Sequence, residues 1–71
     1  MKTEFDKDMH ILAEHLLNKD TSNFRRQIAR MFGKMQMTNT KAYYIDKIDK
    51  LCKLVTEKSY EELFLLGIPN K

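Results

Sequence analysis

The stretch SNFRRQIARMFGKMQ, residues 22–36, decides how this chain folds. Phe24, Ile28, Met31, Phe32 and Met35 recur every three or four positions, the period of a helix that buries one side. Arg26, Arg30 and Lys34 line up four apart on the opposite face, with Arg25 at their flank. A helix built this way meets something negative or keeps the protein dissolved.

The segments on either side are helical by the same reasoning. Upstream, Phe5, Met9, Leu12, Ala13 and Leu16, widened by Leu17, predict a helix from Thr3 or Glu4 to Leu17. Thr3 is its expected N-cap, and Glu4, Asp6 and Asp8 put negative charge where the helix dipole favours it. Ile11 falls almost opposite the apolar stripe, beside Asp8 and His15. The polar turn 18–22 separates this helix from the next, with Asp20, Thr21 or Ser22 as the cap. Downstream, 37–40 reads as a second break, capped by Asn39 or Thr40. A third helix is expected from Lys41 to Glu57, with Tyr44, Ile45, Ile48, Leu51, Cys52 and Val55 on one face. Asp46–Lys50 and Asp49–Lys53 form acid-to-base pairs on its exposed side. Tyr43, Lys47 and Leu54 make a partly apolar flank. Ser59-Tyr60-Glu61-Glu62 is a capping-box sequence that starts a short fourth helix, and Gly67 and Pro69 end it. Leu63-Phe64-Leu65-Leu66 is apolar all round, so most of that helix is expected to be covered.

The expected fold is therefore all-α: one domain over residues 1–71, with three main helices, a short C-terminal helix and a helix-turn-helix-like element. Two glycines and one proline in 71 residues agree with it. A chain this short has a small core and needs further stabilisation. Cys52 is the only cysteine, which excludes an intrachain disulfide. One Cys and two His do not make a closed zinc site, so no metal is expected. His10 and Glu14 can meet on one helix face, but His15 points elsewhere. No nucleophile–base constellation or phosphate-binding loop is present, so neither an enzyme, a cofactor nor a small-molecule substrate is expected. The start lacks a signal core and no apolar run approaches a membrane span, so a cytoplasmic protein away from membranes is the simplest expectation.

The net charge of +3 conceals an asymmetry. Residues 1–18 carry two Lys against four Asp/Glu, whereas residues 19–58 carry ten Lys/Arg against four Asp/Glu. All three arginines lie within Arg25–Arg30. Arginine's planar fork suits phosphate or carboxylate better than lysine's point charge does.

Gln27-Ile28-Ala29-Arg30-Met31-Phe32-Gly33 resembles the first half of a helix-turn-helix. In that motif a small Ala lets two helices approach and a later Gly opens the turn, which sets a second helix in the DNA major groove. The second half departs from the pattern. Asn39 is polar where an apolar anchor is wanted, the 34–39 connection is long, and the third helix neutralises its own face. Gly33 itself costs about 1 kcal/mol relative to Ala in a helix interior, which predicts either close packing there or an early helix end near Phe32. Met31, Met35 and Met37 beside Phe32 form a flexible apolar patch of the kind that fills cores or meets adaptable partners.

Two expectations follow. The leading one is a small regulator of bacterial or phage type that binds nucleic acid, DNA ahead of RNA, through Arg25, Arg26, Arg30, Lys34 and Lys41. The other is a helical adaptor or inhibitor whose arginines grip an acidic protein. A homodimer is expected in either case, with Ile11, Tyr43 and Leu54 as candidate self-association points.

Overall fold

The computed structural model describes residues 3–35 and 41–69. Four helices follow one another: α1 Glu4–Leu17, α2 Thr21–Met35, α3 Lys41–Thr56 and α4 Tyr60–Leu66. Local chemistry sets their ends. Thr3 and Asp6 close a capping box, the Thr3 Oγ1 accepting from the Asp6 N–H at 3.1 Å and Asp6 Oδ2 accepting from the Thr3 N–H at 3.2 Å. Asp20 begins α2 by accepting from the Asn23 N–H at 3.2 Å and from Asn23 Nδ2 at 2.6 Å. Those two bonds hold the Asp20 carboxyl below its ordinary range. Ser59 caps α4 by accepting from the Glu62 N–H. Gly67, at φ 93°, ends α4 in a left-handed conformation that glycine adopts without strain.

α2 turns back along α1, so Lys34 near its end meets Glu4 at the start of α1. α3 runs alongside α1 in the same direction. Phe5 and Tyr44 stack near both starts, with ring centroids 4.2 Å apart, and Leu16 and Val55 line one cleft near both ends. α4 lies over α2 and α3. Tyr60 meets Phe32 at 5.4 Å between centroids, and its N–H donates to Asp49 Oδ1 at 3.1 Å. The Ile68 N–H donates to Thr21 Oγ1 at 2.9 Å, tying the chain end to the start of α2. One core joins all four helices: Leu12, Leu16, Phe24, Ile28, Met31, Met35, Ile48, Cys52, Leu63 and Ile68. The architecture is thus all-α, with three principal helices and a short fourth. No described helix is long and apolar enough to cross a membrane.

Several expectations change at the residue level. α2 continues through Gly33 to Met35, so no turn opens at Gly33. Nor does close packing explain that glycine, since a Cβ built there meets nothing described within 4 Å. Met31 and Met35 fill the core, as their place in the apolar stripe of α2 predicts, and Met37 lies outside the described residues. Asp8, placed on the solvent side by sequence, is 6% exposed because α2 covers it. Leu17 lies outside the apolar stripe it was expected to widen, at 68% exposure. The largest reversal is α4. Only Leu63 of its apolar run is buried, while Leu65 and Leu66 are 74% and 79% exposed.

Candidate functional site: the outer faces of α2

Arg25, Arg26, Arg30, Lys34 and Lys41 do not form one surface. Arg25 turns toward α4. Its Nε donates to the Phe64 carbonyl at 2.7 Å and its second terminal nitrogen to the Leu65 carbonyl at 3.3 Å. The last carbonyls of a helix have no partner within it, and a cation there also answers the negative end of the dipole. Arg25 is thus the clasp that holds α4 against α2.

Lys34 is committed at the opposite end of α2, nine residues or about 13 Å along the axis. Its Nζ lies 2.6 Å from Glu4 Oε2 and 3.1 Å from Asp8 Oδ2. Hydrogen bonds to Glu4 and then Asp8 push its pKa above the ordinary lysine value. The buried Asp8 is answered a second time by Gln27, whose Nε2 donates to the Asp8 carbonyl at 3.1 Å and to Oδ1 at 3.4 Å. Among the described residues no buried side-chain polar atom lacks a partner. The polar groups of this α1–α2 seam are thus answered, and beside them a cleft of about 150 Å³ opens among Phe5, Met31, Met35 and Tyr44.

Arg26 and Arg30 remain outward, one turn apart on the exposed side of α2. Arg26 acts on Asp20 only through its field. Among the described residues Arg30 makes no ion pair. Lys41 is exposed on a different element, the first turn of α3. The stripe read from spacing therefore resolves into two structural cations, two outward arginines and a separate lysine.

The other flank of α2 carries a feature that spacing did not single out. Ile28, Ala29 and Phe32 of α2 face Tyr60, Phe64 and Leu65 of α4 across an open apolar groove of about 320 Å³, with Glu61 on the α4 rim. Ile28 is buried at its floor, Phe64 is 37% exposed, and Leu65 stands out from its wall. α4 leaves this groove open because it has only seven residues and anchors through Leu63, Tyr60 and the Arg25 clasp. An apolar tetrapeptide on so short a helix cannot turn every side chain inward. That exposed half of α4 was the available signal in the sequence.

The remaining candidates stay apart. Ile11, Tyr43 and Leu54 are exposed at 38%, 57% and 82%, and no described cleft holds Ile11 with the other two. Tyr43 is covered on one side by Lys47, whose Nζ lies 5.0 Å from its ring centroid. His10 Nε2 sits 3.5 Å from Glu14 Oε1 in an exposed pair, and the described residues contain no group of three His, Cys, Asp or Glu able to hold a metal. Cys52 is fully buried, and burial, then the Asp49 charge, pushes its thiol up to about 12. Asp49 itself is drawn two ways: burial would raise its carboxyl, but hydrogen bonds from Lys53 and the Tyr60 N–H hold it below the usual range.

No protein-family model, curated protein or solved structure matches this chain.

Proposed function

We propose that this chain is a non-enzymatic interaction module that docks a protein helix along its α2–α4 groove, with Arg26 and Arg30 available to acidic groups beside it. The observation that carries this reading is the groove: Ile28, Ala29, Phe32, Tyr60, Phe64 and Leu65 line it, and Leu65 stays 74% exposed on its wall. Open apolar grooves between helices are where amphipathic helices are received, and contiguous apolar surface on a small protein marks an interaction site. The protein reading also gains because Arg25 and Lys34 are spent inside the fold. Cys52, fully buried, is not placed to act as a nucleophile.

The test is site-specific photo-crosslinking from position 65 in cells that express the chain. A defined cross-linked protein, lost with Ala29→Glu and weakened with Arg26→Glu/Arg30→Glu, supports the reading. Cross-linking indifferent to both variants overturns it.

One observation favours a second reading, nucleic-acid binding: Arg26 and Arg30 remain outward a turn apart, with no described ion pair on Arg30. They provide two cations for phosphates, which predicts a salt slope of about −2 for duplex DNA. A titration of random duplex at two salt concentrations reads it directly. Absence of binding at low salt removes it.

A further inference from the structure

Taking the groove as a docking surface, we infer that its occupant is a second copy of this chain, in a two-fold dimer that lays each α4 along the other copy's α2. The face carries both halves of such a contact. Its hole is the groove over Ile28 and Phe32, and its knob is Leu65, 74% exposed on the groove's own wall. A surface that receives only a foreign helix needs the hole alone. A hole and a protruding leucine side by side are the self-complementary arrangement that a two-fold contact requires.

The charges repeat the pattern. Glu61 stands on the α4 rim, and among the described residues it makes no ion pair. Arg30, on the α2 side, is likewise without one. Within one molecule these unlike charges stand on different helices and do not pair. A two-fold axis brings each copy's Glu61 to the other copy's arginines.

α2 presents two small residues that let a helix approach closely, Ala29 in the groove and Gly33 one turn on, where a built Cβ meets nothing described within 4 Å. A specific contact buries about 1,000 Å² in total, so each copy would cover about a tenth of its 5166 Å² surface.

Sedimentation equilibrium of the full chain, from about 1 to 200 μM, tests this. The expected result is a reversible dimer. Leu65→Glu should weaken it at least about tenfold while leaving helicity and melting unchanged, because Leu65 is outside the core. Arg30→Glu and Glu61→Arg should each weaken association, and the double variant should recover part of the loss. Leu54→Glu, on the exposed flank of α3, should leave it unaltered.

A monomer throughout that range overturns the inference. So does a dimer indifferent to Leu65→Glu. If the chain is monomeric but cross-linking from position 65 still captures a groove-dependent partner, only the second-copy assignment falls. If neither experiment depends on Ala29 or Leu65, the groove reading falls with it.

Discussion

α2 has two flanks, and the fold treats them in opposite ways. Toward α1 the contact is packed and its polar groups are paired: Phe24 and Leu12 are fully buried, Asp8, Gln27 and Lys34 answer one another, and only a smaller cleft of about 150 Å³ opens by Phe5, Met31 and Tyr44. Toward α4 the seam is held by the core behind it and by the Arg25 clasp, and an apolar groove stays open in front. The same residue types occur on both sides. What separates a structural cation from an outward one is whether a neighbouring element brings orphaned carbonyls or a buried carboxylate within reach. Spacing along one helix cannot supply that information.

The sharpest way to break the contrast is to truncate an apolar side chain on each flank. Phe24→Ala should destabilise by about 3–5 kcal/mol, enough to unfold a domain this small. Leu65→Ala should stay within about 0.5 kcal/mol. Urea unfolding followed by circular dichroism measures both. A Leu65 loss comparable to that of Phe24 would mean that the groove is part of the core.

The polar half of the α1–α2 seam comes next. Asp8→Ala removes the buried carboxylate shared by Gln27 and Lys34 and should cost about 1–3 kcal/mol. Glu4→Ala, at the exposed end of the same network, should cost under about 1 kcal/mol. Equal losses would show that Asp8 is not the centre of that network.

The two kinds of arginine can be separated in the same assay. Arg25→Ala leaves the last carbonyls of α4 without their donors and should cost about 1 kcal/mol. Arg30→Ala should change stability by less than about 0.5 kcal/mol, so any effect it has on association is a surface effect. Hydrogen exchange adds a local readout: the α4 amides should lose protection in Arg25→Ala and keep it in Arg30→Ala.

Much of the fold was legible because local signals agreed with the global packing. Thr3, Asp20 and Ser59 start their helices as caps, and the face Ile48–Cys52 points inward as its period requires. Asp46–Lys50 and Asp49–Lys53 pair at 3.1 and 2.9 Å as i,i+4 neighbours. The site was less legible, for a physical reason. The partners of Arg25 and Lys34 lie 39 and 26 or more residues away in sequence, so no window along α2 contains them. Asp8 was misplaced on similar grounds: its angle on α1 lies at the edge of the stripe, and only the approach of α2 buries it. The run Leu63–Leu66 misled because a fully apolar segment implies cover, whereas one seven-residue helix had only one side to bury.

Gly33 sharpens the comparison with the smallest expected change. It sits within α2, two residues before its end, in open space. Neither a turn at Gly33 nor crowding by the described residues accounts for it. Gly33→Ala should therefore stabilise the isolated chain by up to about 1 kcal/mol, raising its melting temperature by roughly 4–8 °C. A glycine that weakens its own helix without an internal reason is explained if another backbone passes over it. In that case the same substitution that stabilises the monomer should loosen the dimer, since a methyl group would stand where the second copy's α4 comes closest. Melting at low concentration and sedimentation at high concentration read the two effects separately. A gain in both would place the second copy's α4 away from Gly33, over Ala29 and Phe32 alone.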